Sequence, residues 1–332
     1  MHYNHLITNF PSNTSFFDYT ELFDVKEKKQ VFVVDENVFS LFNFSVLQSP
    51  YFIVKSGEKN KSFQSVDRIL YFLVSLNIDT NYELIGMGGG VVCDLVSFVA
   101  SIYKRGIKHS LVPTTLLAMV DASYGGKTAV NFSGIKNLCG TYKIPENILI
   151  DVSFLRTLTE EELLNGFAEI LKISFTSNKD LFLDISKSKS VRELQFDQII
   201  RKALITKKGI IENDLFDNNN RKILNFGHTY GHAIESEYKL KHGFAVAVGC
   251  LFELKLLHSL SLISSDTLDN YRQVFNIYFN KIQIGIKINE ITKFILNDKK
   301  INNGFIELVK INSVGNSELI CVDINNLLNY AL

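Results

Sequence analysis

Apolar residues in the first part of the chain alternate between short runs typical of strands and longer stretches with helical spacing. Strand-like runs that end in polar residues lie at 31–38, 51–62, 82–86 and 109–115. Helical spacing separates these runs, at 38–42, 63–76 and 91–103. Strands that alternate with helices usually pair in parallel, so residues 1–150 are predicted to form an α/β domain around a parallel sheet.

After the stretch 147–159 the pattern becomes helical. Thr159 and Glu162 form a capping-box signature, which predicts a helix that continues through Phe175. Helical periodicity continues over four further stretches, at 191–213, 223–237, 244–262 and about 266–297. A short hairpin is predicted near the end of the chain, from the runs 304–311 and 318–324. We therefore place a boundary near residue 151 and predict a mostly α-helical domain over 151–332.

The composition is that of a folded protein with two domains. The chain has 332 residues, of which 46% are hydrophobic and 21% charged, and this excludes a disordered chain. Its 35 basic and 35 acidic residues cancel, so the chain has no overall basic field for nucleic acid.

No segment is predicted to be a signal peptide or a membrane span. The N-terminus lacks a basic region followed by an apolar one. The apolar runs at 84–103 and 244–263 contain glycines or charged residues, which favours buried elements of a soluble core. The cysteines form no CxxC pair, which predicts reduced thiols in a cytoplasmic protein: Cys93, Cys139, Cys250 and Cys321.

The segment GMGGGVVCD, at 86–94, follows a predicted strand and opens a predicted helix. Glycines at such a turn let a phosphate approach backbone N–H groups at the positive end of the helix dipole. The spacing differs from the G-x-G-x-x-G of the dinucleotide fingerprint, and the acidic residue that should follow it is missing. The segment is either a phosphate-binding turn or a tight turn without a ligand.

Two histidines lie four residues apart in the segment NFGHTYGHAIE, at 225–235. On a helix, His228 and His232 would share one face, beside a stripe formed by Gly227 and Gly231. Each glycine costs about 1 kcal/mol of helix propensity relative to alanine. We therefore expect a ligand or another helix to approach closely at this stripe.

A third imidazole and a carboxylate occur at other helical segments. His242 precedes the helical stretch 244–262, and Glu169 lies on the helix with the capping box. Two histidines, one carboxylate and an open position form the ligand set of a catalytic zinc ion. The alternative is that the histidine pair is only the polar face of a helix.

Basic residues recur beside the glycine-rich and histidine segments. Lys172 shares a helical face with Glu169, an unusual place for a solvated lysine if the glutamate faces the core. Arginine offers a planar fork for phosphate or carboxylate, and lysine offers a compact charge. The set predicts an anionic substrate: Arg105, Lys127, Lys136, Lys172, Lys207 and Arg221.

Together these segments resemble the 3-dehydroquinate synthase family, of the sugar-phosphate cyclase superfamily. The resemblance covers nearly the whole chain and is densest at 86–172 and 221–243. It is carried by segments in the family's order and approximate spacing: GGGVVCDL, KRG, VPTTLLAMVDASYGGKTAVN, GIKNLCGTY, GFAEILK, LNFGHTYGHAIE, HG and NDKK. It implies a Rossmann-like, dehydroquinate-synthase-like α/β domain that binds NAD, followed by a helical domain that binds metal and substrate.

The resemblance also assigns roles to single residues. It implies that a divalent metal ion, zinc or cobalt, is bound by Glu169, His228 and His242. It places NAD among Asp35, Glu58, Lys59, Gly88, Gly89, Gly90, Asp94, Thr114, Thr115, Asp121, Lys127 and Lys136. It assigns catalytic contacts with the substrate to Lys127, Asn137, Lys172, Lys207, Arg221, Asn225 and His232, and further contacts to Arg105, Lys136 and Lys299 or Lys300. Arg105 is expected to reach the phosphate from the partner subunit of a homodimer.

The implied substrate is 3-deoxy-D-arabino-heptulosonate 7-phosphate, which is converted to 3-dehydroquinate and phosphate in the shikimate pathway of aromatic amino acid biosynthesis. NAD would take a hydride from a secondary alcohol, and the resulting ketone would acidify the neighbouring C–H so that phosphate leaves by elimination. The same cofactor would return the hydride, and an intramolecular aldol step would close the ring. The metal ion would act as a Lewis acid.

Two residues depart from the family pattern, and other functions stay open. Cys93 replaces a glycine beside Asp94, and Phe244 replaces a glutamate that could orient His242. Another NAD- and metal-dependent sugar-phosphate cyclase would share fold, cofactor and metal. A metal-dependent polyol dehydrogenase would need no phosphate clamp and would release NADH. A catalytically silent, dimeric binding protein would have no reason to keep the metal ligands and the clamp together.

Overall fold

The computed structural model describes residues 14–22, 29–42, 44, 47–212, 214, 219–282, 286–296 and 301–328. The chain divides into two compact units, 1–159 and 160–332. The first unit is α/β and the second is mostly helical, so the predicted fold class is confirmed.

One six-stranded sheet forms the centre of the first unit. The strands of this unit are β1 (Thr14–Phe16), β2 (Gln30–Asp35), β3 (Tyr51–Val54), β4 (Glu83–Gly88), β5 (Lys108–Pro113), β6 (Val130–Phe132), β7 (Ile135–Cys139) and β8 (Asn147–Ile150). Its helices are α1 (Glu36–Leu41), α2 (Phe63–Ser75) and α3 (Gly90–Ile102). The sheet order is β1-β8-β5-β4-β2-β3 with every neighbouring pair parallel, whereas β6 and β7 form a separate hairpin.

The core of this unit forms because its central strands are apolar on both faces. All four side chains from Val31 to Val34 on β2 are fully buried, as expected for a parallel sheet that is covered on both sides. Ile69 and Leu73 of α2 and Val96 of α3 belong to the same hydrophobic cluster. Helical spacing places these apolar residues on the buried faces of their helices.

The strand order creates a switch point between β2 and β4. The chain passes from β2 to β3 on one side, and then crosses to β4 on the other side. In parallel sheets of this kind, ligands bind at the carboxyl ends of the strands that flank such a point. Asp35 ends β2 and Gly88 ends β4, and a Cβ at Gly88 would lie 3.0 Å from the Cβ of Asp35.

The second unit combines seven longer helices with a small antiparallel sheet in its described part. The helices are α4 (Glu160–Ser177), α5 (Lys179–Ser186), α6 (Phe196–Ile211), α7 (His228–Tyr238), α8 (His242–Ser259), α9 (Ser265–Phe279) and α10 (Ile288–Ile295). The strands β9 (Ile301–Asn302), β10 (Phe305–Ser313) and β11 (Asn316–Asp323) precede a short helix, α11 (Ile324–Leu328). The strands β10 and β11 pair antiparallel, as predicted.

Helix α4 is the centre of the second unit. Every residue from Leu163 to Thr176 is buried, and the helix packs against α5, α6, α8 and α9. The ring of Phe175 contacts those of Phe182, Phe226 and Tyr271. A hydrophobic helix that is covered all round can bury charged side chains only where other charges pair with them.

Three predicted helices differ from the observed elements. The stretch 191–213 contains a 3₁₀ turn (Val191–Glu193) before α6, and the stretch 266–297 contains two helices, α9 and α10, in place of one. The stretch 223–237 begins with a 3₁₀ turn (Asn220–Asn225), and α7 starts only at His228. Within the described residues, no helix is long and apolar enough to cross a bilayer.

Candidate functional site

Three helices of the second unit bring one carboxylate and two imidazoles together. Helix α4 carries Glu169, whereas α7 and α8 begin at His228 and His242. The distance from Oε1 of Glu169 is 3.3 Å to Nε2 of His242 and 3.9 Å to Nε2 of His228. One potential ligand atom from each residue lies within 4.8 Å of the other two. These distances allow one divalent ion to bind all three residues.

Glycines let these helices meet backbone to backbone. A Cβ at Gly243 of α8 would lie 1.9 Å from the carbonyl oxygen of Asn165 on α4. A Cβ at Gly249 of α8 would lie 2.2 Å from the carbonyl oxygen of Gly227. Gly227 has a φ of +73° and is the N-cap of α7, so it is not a helical residue. The prediction that Gly227 and Gly231 form a stripe on one helix is therefore wrong. The close approach that the stripe was expected to serve is nevertheless present, between α7 and α8.

The charges of these residues fit a bound cation. Neither oxygen of the buried Glu169 carboxylate has a hydrogen bond of good geometry from any described residue. Nζ of Lys172 nevertheless lies 2.5 Å from Oε2 and forms an ion pair with it. Burial opposes ionisation, but Lys172 and His242 outweigh it and hold the pKa of the Glu169 carboxyl well below its usual range. For His242, burial lowers the pKa, but Glu169 and Glu235 outweigh burial and raise it to about 10. Glu169, His228 and His242 would hold a divalent ion, which would supply the positive charge that a protonated His242 otherwise provides.

Both imidazoles are oriented through their Nδ1 atoms. Nδ1 of His242 lies 3.0 Å from a carboxylate oxygen of Glu235, and Nδ1 of His228 lies 3.1 Å from the carbonyl oxygen of Phe226. If Nδ1 carries the hydrogen, Nε2 of each ring keeps the lone pair that a metal ion needs. The sequence did not single out Glu235, although its position seven residues after His228 was a signal that both share one helical face.

The departure at Phe244 does not leave His242 without a carboxylate. Phe244 packs against Phe279, with ring centroids 5.8 Å apart, and Glu235 of α7 lies beside Nδ1 of His242. The glutamate that the family pattern has at position 244 is therefore not needed for this contact.

His232 lies beside the three candidate ligands. Its ring centroid is 5.1 Å from that of His228 and 6.2 Å from that of His242, and its side chain is exposed. The set of potential ligand atoms within 4.8 Å contains Glu169 and the other two histidines. The position of His232 is thus compatible with a proton-transferring group that faces a ligand.

Three basic residues of the predicted substrate clamp are buried. Lys172 and Lys207 are each 3% exposed and Arg221 is 5% exposed, which is rare for such side chains unless other groups pair with them. The Asp214 carboxylate accepts the backbone N–H of Arg221 at 3.1 Å and so fixes the start of this segment. Asn225 ends the 3₁₀ turn and is half-buried. Lys299 and Lys300 lie outside the described residues.

The glycine-rich turn connects β4 to α3 in the first unit. Gly88 ends β4, Gly89 caps α3, and α3 begins at Gly90. A Cβ at Gly89 would lie 3.1 Å from Cγ2 of Thr115, and one at Gly90 would lie 3.3 Å from Cβ of Ala122. The turn therefore has little room for side chains, and it precedes a helix N-terminus, the kind of backbone at which phosphates bind.

Lys61, which was not identified from the sequence, lies close to this turn. Its ammonium pairs with Asp94 of α3, and it donates to Oδ1 of Asn137 at 2.5 Å. Burial raises the pKa of Asp94 to about 6, while Lys61 opposes that shift. Lys59 is exposed, whereas Lys61 is buried. Both lysines belong to the segment GEKNKS, and only the fold distinguishes them.

The other residues predicted to contact NAD lie at several loops and turns of the first unit. Oδ1 of Asp35 accepts the hydroxyl of Ser56 at 2.7 Å, and Oε1 of Glu58 accepts an amide N–H of Asn131 at 2.8 Å. The backbone N–H of Thr114 donates to the carbonyl of Gly88, and Asp121 belongs to a π-helical turn (Ala118–Ala122). π-Helical turns often occur at functional sites.

The substitution at Cys93 lies within the core. Its side chain is 1% exposed, and Sγ lies 3.8 Å from the carbonyl oxygen of Gly88. Burial raises the pKa of this thiol well above its usual range. The larger side chain thus fills core space behind the turn.

Four further residues of the predicted site are exposed on the first unit: Arg105, Lys127, Lys136 and Asn137. Arg105 and the preceding Lys104 both have positive φ, at 65° and 48°. A left-handed backbone costs roughly 1–2 kcal/mol at a residue other than glycine. This unusual turn holds Arg105 at the surface directly after α3.

Comparison with known proteins agrees with the resemblance found in the sequence. Two family models match the chain, described as 3-dehydroquinate synthase N-terminal over residues 51–165 and 3-dehydroquinate synthase C-terminal over residues 166–301. A 3-dehydroquinate synthase of Dictyoglomus turgidum is 37% identical over 84% of this chain and 80% of its own length.

Two solved structures share the fold over nearly the whole chain. A 2-epi-5-epi-valiolone synthase from Streptomyces hygroscopicus, with NAD⁺ and Zn²⁺ bound, has a TM-score of 0.84 at 23% identity and covers 95% of this chain and 94% of its own. A 2-deoxy-scyllo-inosose synthase in complex with carbaglucose-6-phosphate, NAD⁺ and Co²⁺ has a TM-score of 0.83 at 22% identity, with 95% of each chain covered. The sequence matches, which extend over both units, show that the chain belongs to the 3-dehydroquinate synthase family.

Proposed function

We propose that the chain is a 3-dehydroquinate synthase, which converts 3-deoxy-D-arabino-heptulosonate 7-phosphate to 3-dehydroquinate and phosphate. The observation that carries the proposal is the convergence of Glu169, His228 and His242, with ligand atoms within 4.8 Å of one another, in a member of this family. The reaction has no net redox change, because one secondary alcohol is oxidised before phosphate is eliminated and is reduced again before the aldol closure.

The proposed cofactors are NAD and one divalent ion, zinc or cobalt. NAD belongs with the α/β domain, residues 1–150, at the turn Gly88–Gly90 and the switch point beside Asp35. The ion belongs with the helical domain, residues 151–332, at Glu169, His228 and His242. When bound, the nicotinamide supplies a reversible hydride acceptor and the ion supplies Lewis acidity.

The residues of the chain then bind, orient and exchange protons. The buried cations Lys172, Lys207 and Arg221 would hold the phosphate and carboxylate groups of the substrate, since burial restricts the freedom of their side chains before it arrives. The exposed imidazole of His232 would carry protons to and from the substrate, because its ring is next to that of His228. Asn137, Lys127 and Asn225 would hold hydroxyl groups.

Other parts of the proposal concern the assembly and its location. We propose a homodimer in which Arg105 reaches the phosphate in the partner subunit, because two successive left-handed residues hold this exposed arginine out from α3. The four cysteines are free, which supports a cytoplasmic protein. Sedimentation with and without substrate would test the dimer.

One assay tests the function. The purified chain is given NAD, zinc or cobalt, and the heptulosonate phosphate, and released phosphate is measured together with absorbance of NADH. Phosphate release without net NADH supports the proposal, whereas net NADH from a polyol would indicate a dehydrogenase. No turnover after metal repletion would contradict enzymatic function, and turnover of a different sugar phosphate alone would indicate another cyclase.

Two variants separate the metal ligands from the substrate clamp. His228→Ala should lose bound metal and activity together, because it removes one of three ligands. Arg221→Ala should retain metal and raise KM by at least tenfold, because it removes a charged contact with the anionic substrate. Metal content that is unchanged in His228→Ala would contradict the ligand assignment.

A further inference from the structure

One peptide group, between Phe226 and Gly227, connects the candidate metal site to the interior of the second unit. Its carbonyl oxygen lies 3.1 Å from Nδ1 of His228 and 3.6 Å from Sγ of Cys250, which donates to it. Its N–H donates to Oε2 of Glu253 at 2.9 Å. Both ends of this one peptide are thus held, one by the histidine and the other by a carboxylate.

Glu253 is buried deep in the helical unit. It lies on α8 and is 1% exposed, and its other oxygen, Oε1, accepts the backbone N–H of Val309 on β10 at 3.0 Å. A buried carboxylate is costly unless hydrogen bonds satisfy it, and two charge-assisted bonds from backbone amides meet that need. These bonds tie the turn before α7 to both α8 and β10.

The turn that Glu253 holds is also closely packed. Gly227 has a φ of +73°, and a Cβ there would lie 2.3 Å from Sγ of Cys250. A side chain would not fit at this position, and the peptide oxygen faces His228 while its N–H faces Glu253. An anion that accepts from the N–H of a peptide polarises the group and makes its carbonyl a stronger acceptor.

We infer that Glu253 is a positioning residue for the metal site, and that it acts on His228 through the Phe226–Gly227 peptide. The polarised carbonyl holds the hydrogen on Nδ1 of His228, fixes the ring plane and leaves Nε2 to bind the ion. His242 receives the same support directly from Glu235, at 3.0 Å. Each histidine is thus oriented by a carboxylate: Glu235 contacts His242 directly, and Glu253 acts on His228 through one peptide group. The inference rests on the proposed metal site.

The test is the affinity of the full-length chain for metal. Glu253→Gln keeps the size of the side chain but removes its charge and can accept only one of the two backbone N–H groups. We expect zinc affinity, measured by competition with a chromogenic chelator, to fall by about tenfold, the lower end of the effect of losing a direct partner. The visible absorption of the Co²⁺-loaded protein should change as well, since the His228 ring is no longer fixed.

A matched control separates positioning from general stability. Tyr278→Phe removes a buried hydrogen bond of the same unit, from the hydroxyl to the carbonyl of Ile185 at 2.8 Å, without touching the Phe226–Gly227 peptide. It should lower the melting temperature but leave zinc affinity and the cobalt spectrum unchanged. Zinc affinity of Glu253→Gln within twofold of wild type, with an unchanged cobalt spectrum, would overturn the inference.

The same data distinguish failure of the inference from failure of the proposed function. If the wild-type chain binds no zinc, or if His228→Ala binds it normally, the metal site itself is wrong. If His228→Ala loses zinc and Glu253→Gln does not, only the role of Glu253 is wrong.

A second measurement needs no variant. Coupling between two sites is reciprocal, so a bond that strengthens metal binding must itself be strengthened by the metal. Hydrogen exchange at the Gly227 amide of the wild-type chain should therefore slow by about tenfold when zinc is added. Exchange that is independent of zinc would contradict the inference even if Glu253→Gln failed to fold.

Discussion

His242 lies between two carboxylates that come from different helices. Glu169 of α4 faces its Nε2 at 3.3 Å, and Glu235 of α7 faces its Nδ1 at 3.0 Å. The first carboxylate is a candidate ligand, whereas the second can only orient the ring. The residue pattern identified the first through its resemblance to a family motif, but the second required the geometry of α7.

We predict that Glu235→Ala will weaken zinc binding by 10- to 100-fold, because outer partners of this kind set the orientation and basicity of the ligating imidazole. Phosphate release at limiting zinc should fall in parallel. Chelator competition at fixed pH measures the affinity directly.

The control for Glu235→Ala is on the same helix. Glu237 also lies on α7 but pairs with the exposed Lys293, at 3.0 Å. Glu237→Ala should leave zinc affinity unchanged, because an exposed ion pair contributes little. Equal zinc affinities in the two variants would contradict the role of Glu235.

At the scale of elements, the site depends on how closely α4, α7 and α8 approach each other. The backbone N–H of Gly243 donates to Oδ1 of Asn165 at 2.8 Å. A Cβ at Gly243 would lie 1.9 Å from the backbone carbonyl oxygen of Asn165. His242 immediately precedes this contact. The position of the imidazole is therefore set by contact between α8 and α4.

We predict that Gly243→Ala will displace the start of α8 and destabilise the protein by about 1–3 kcal/mol, in the range of overpacked cores. Zinc binding should fall with it, since His242 moves away from Glu169. Urea unfolding and chelator competition measure the two effects.

Gly209 offers a control in the same unit. It is exposed on α6, and a Cβ there would meet nothing within 4 Å. Gly209→Ala should preserve zinc affinity and raise stability by up to about 1 kcal/mol, because alanine favours the helix. Loss of zinc binding in both variants would contradict the prediction, because it would show that zinc affinity does not depend specifically on the contact of Gly243 with α4.

At the scale of the whole molecule, the free energy of unfolding at acid pH should depend on a histidine that is not part of the candidate metal site. His109 on β5 is fully buried, with Nε2 3.0 Å from the hydroxyl of Ser97. Burial, assisted by Lys143, lowers the pKa of His109 to about 3. The folded chain therefore keeps this ring neutral, whereas the unfolded chain protonates it near pH 6.5.

The sign follows from proton binding by the unfolded state. Stability from neutral His109 is complete above pH 6.5 and is lost as the pH falls towards 3, by about 1.4 kcal/mol per unit. The difference in unfolding free energy between wild type and His109→Gln should shrink over this range. Groups that titrate alike in both proteins cancel in this comparison. A difference in unfolding free energy that does not vary with pH would contradict the prediction.

Much of the architecture could be predicted because its signals are local. The apolar run at Val31–Val34 and the helical spacing at 63–76 each need only neighbouring residues, and both elements formed as predicted. The break at Gly227 was missed because helical periodicity continues across it, while its left-handed backbone depends on α8. The edge pairing of β1 with β8 joins residues more than 130 positions apart, and no local pattern predicts it.

The fold class, the family and the types of residue available to bind a cation and an anion could be established from residue order alone, since periodicity and linked motifs are properties of order along the chain. The folded arrangement of the elements was needed to show that Lys61, and not Lys59, lies buried beside Asp94, and that Glu235 faces His242. The physical reason is that pairing of buried charges depends on distances of a few ångströms between elements. Those distances are fixed by backbone contacts such as that of Gly243 with Asn165, and not by spacing in the sequence.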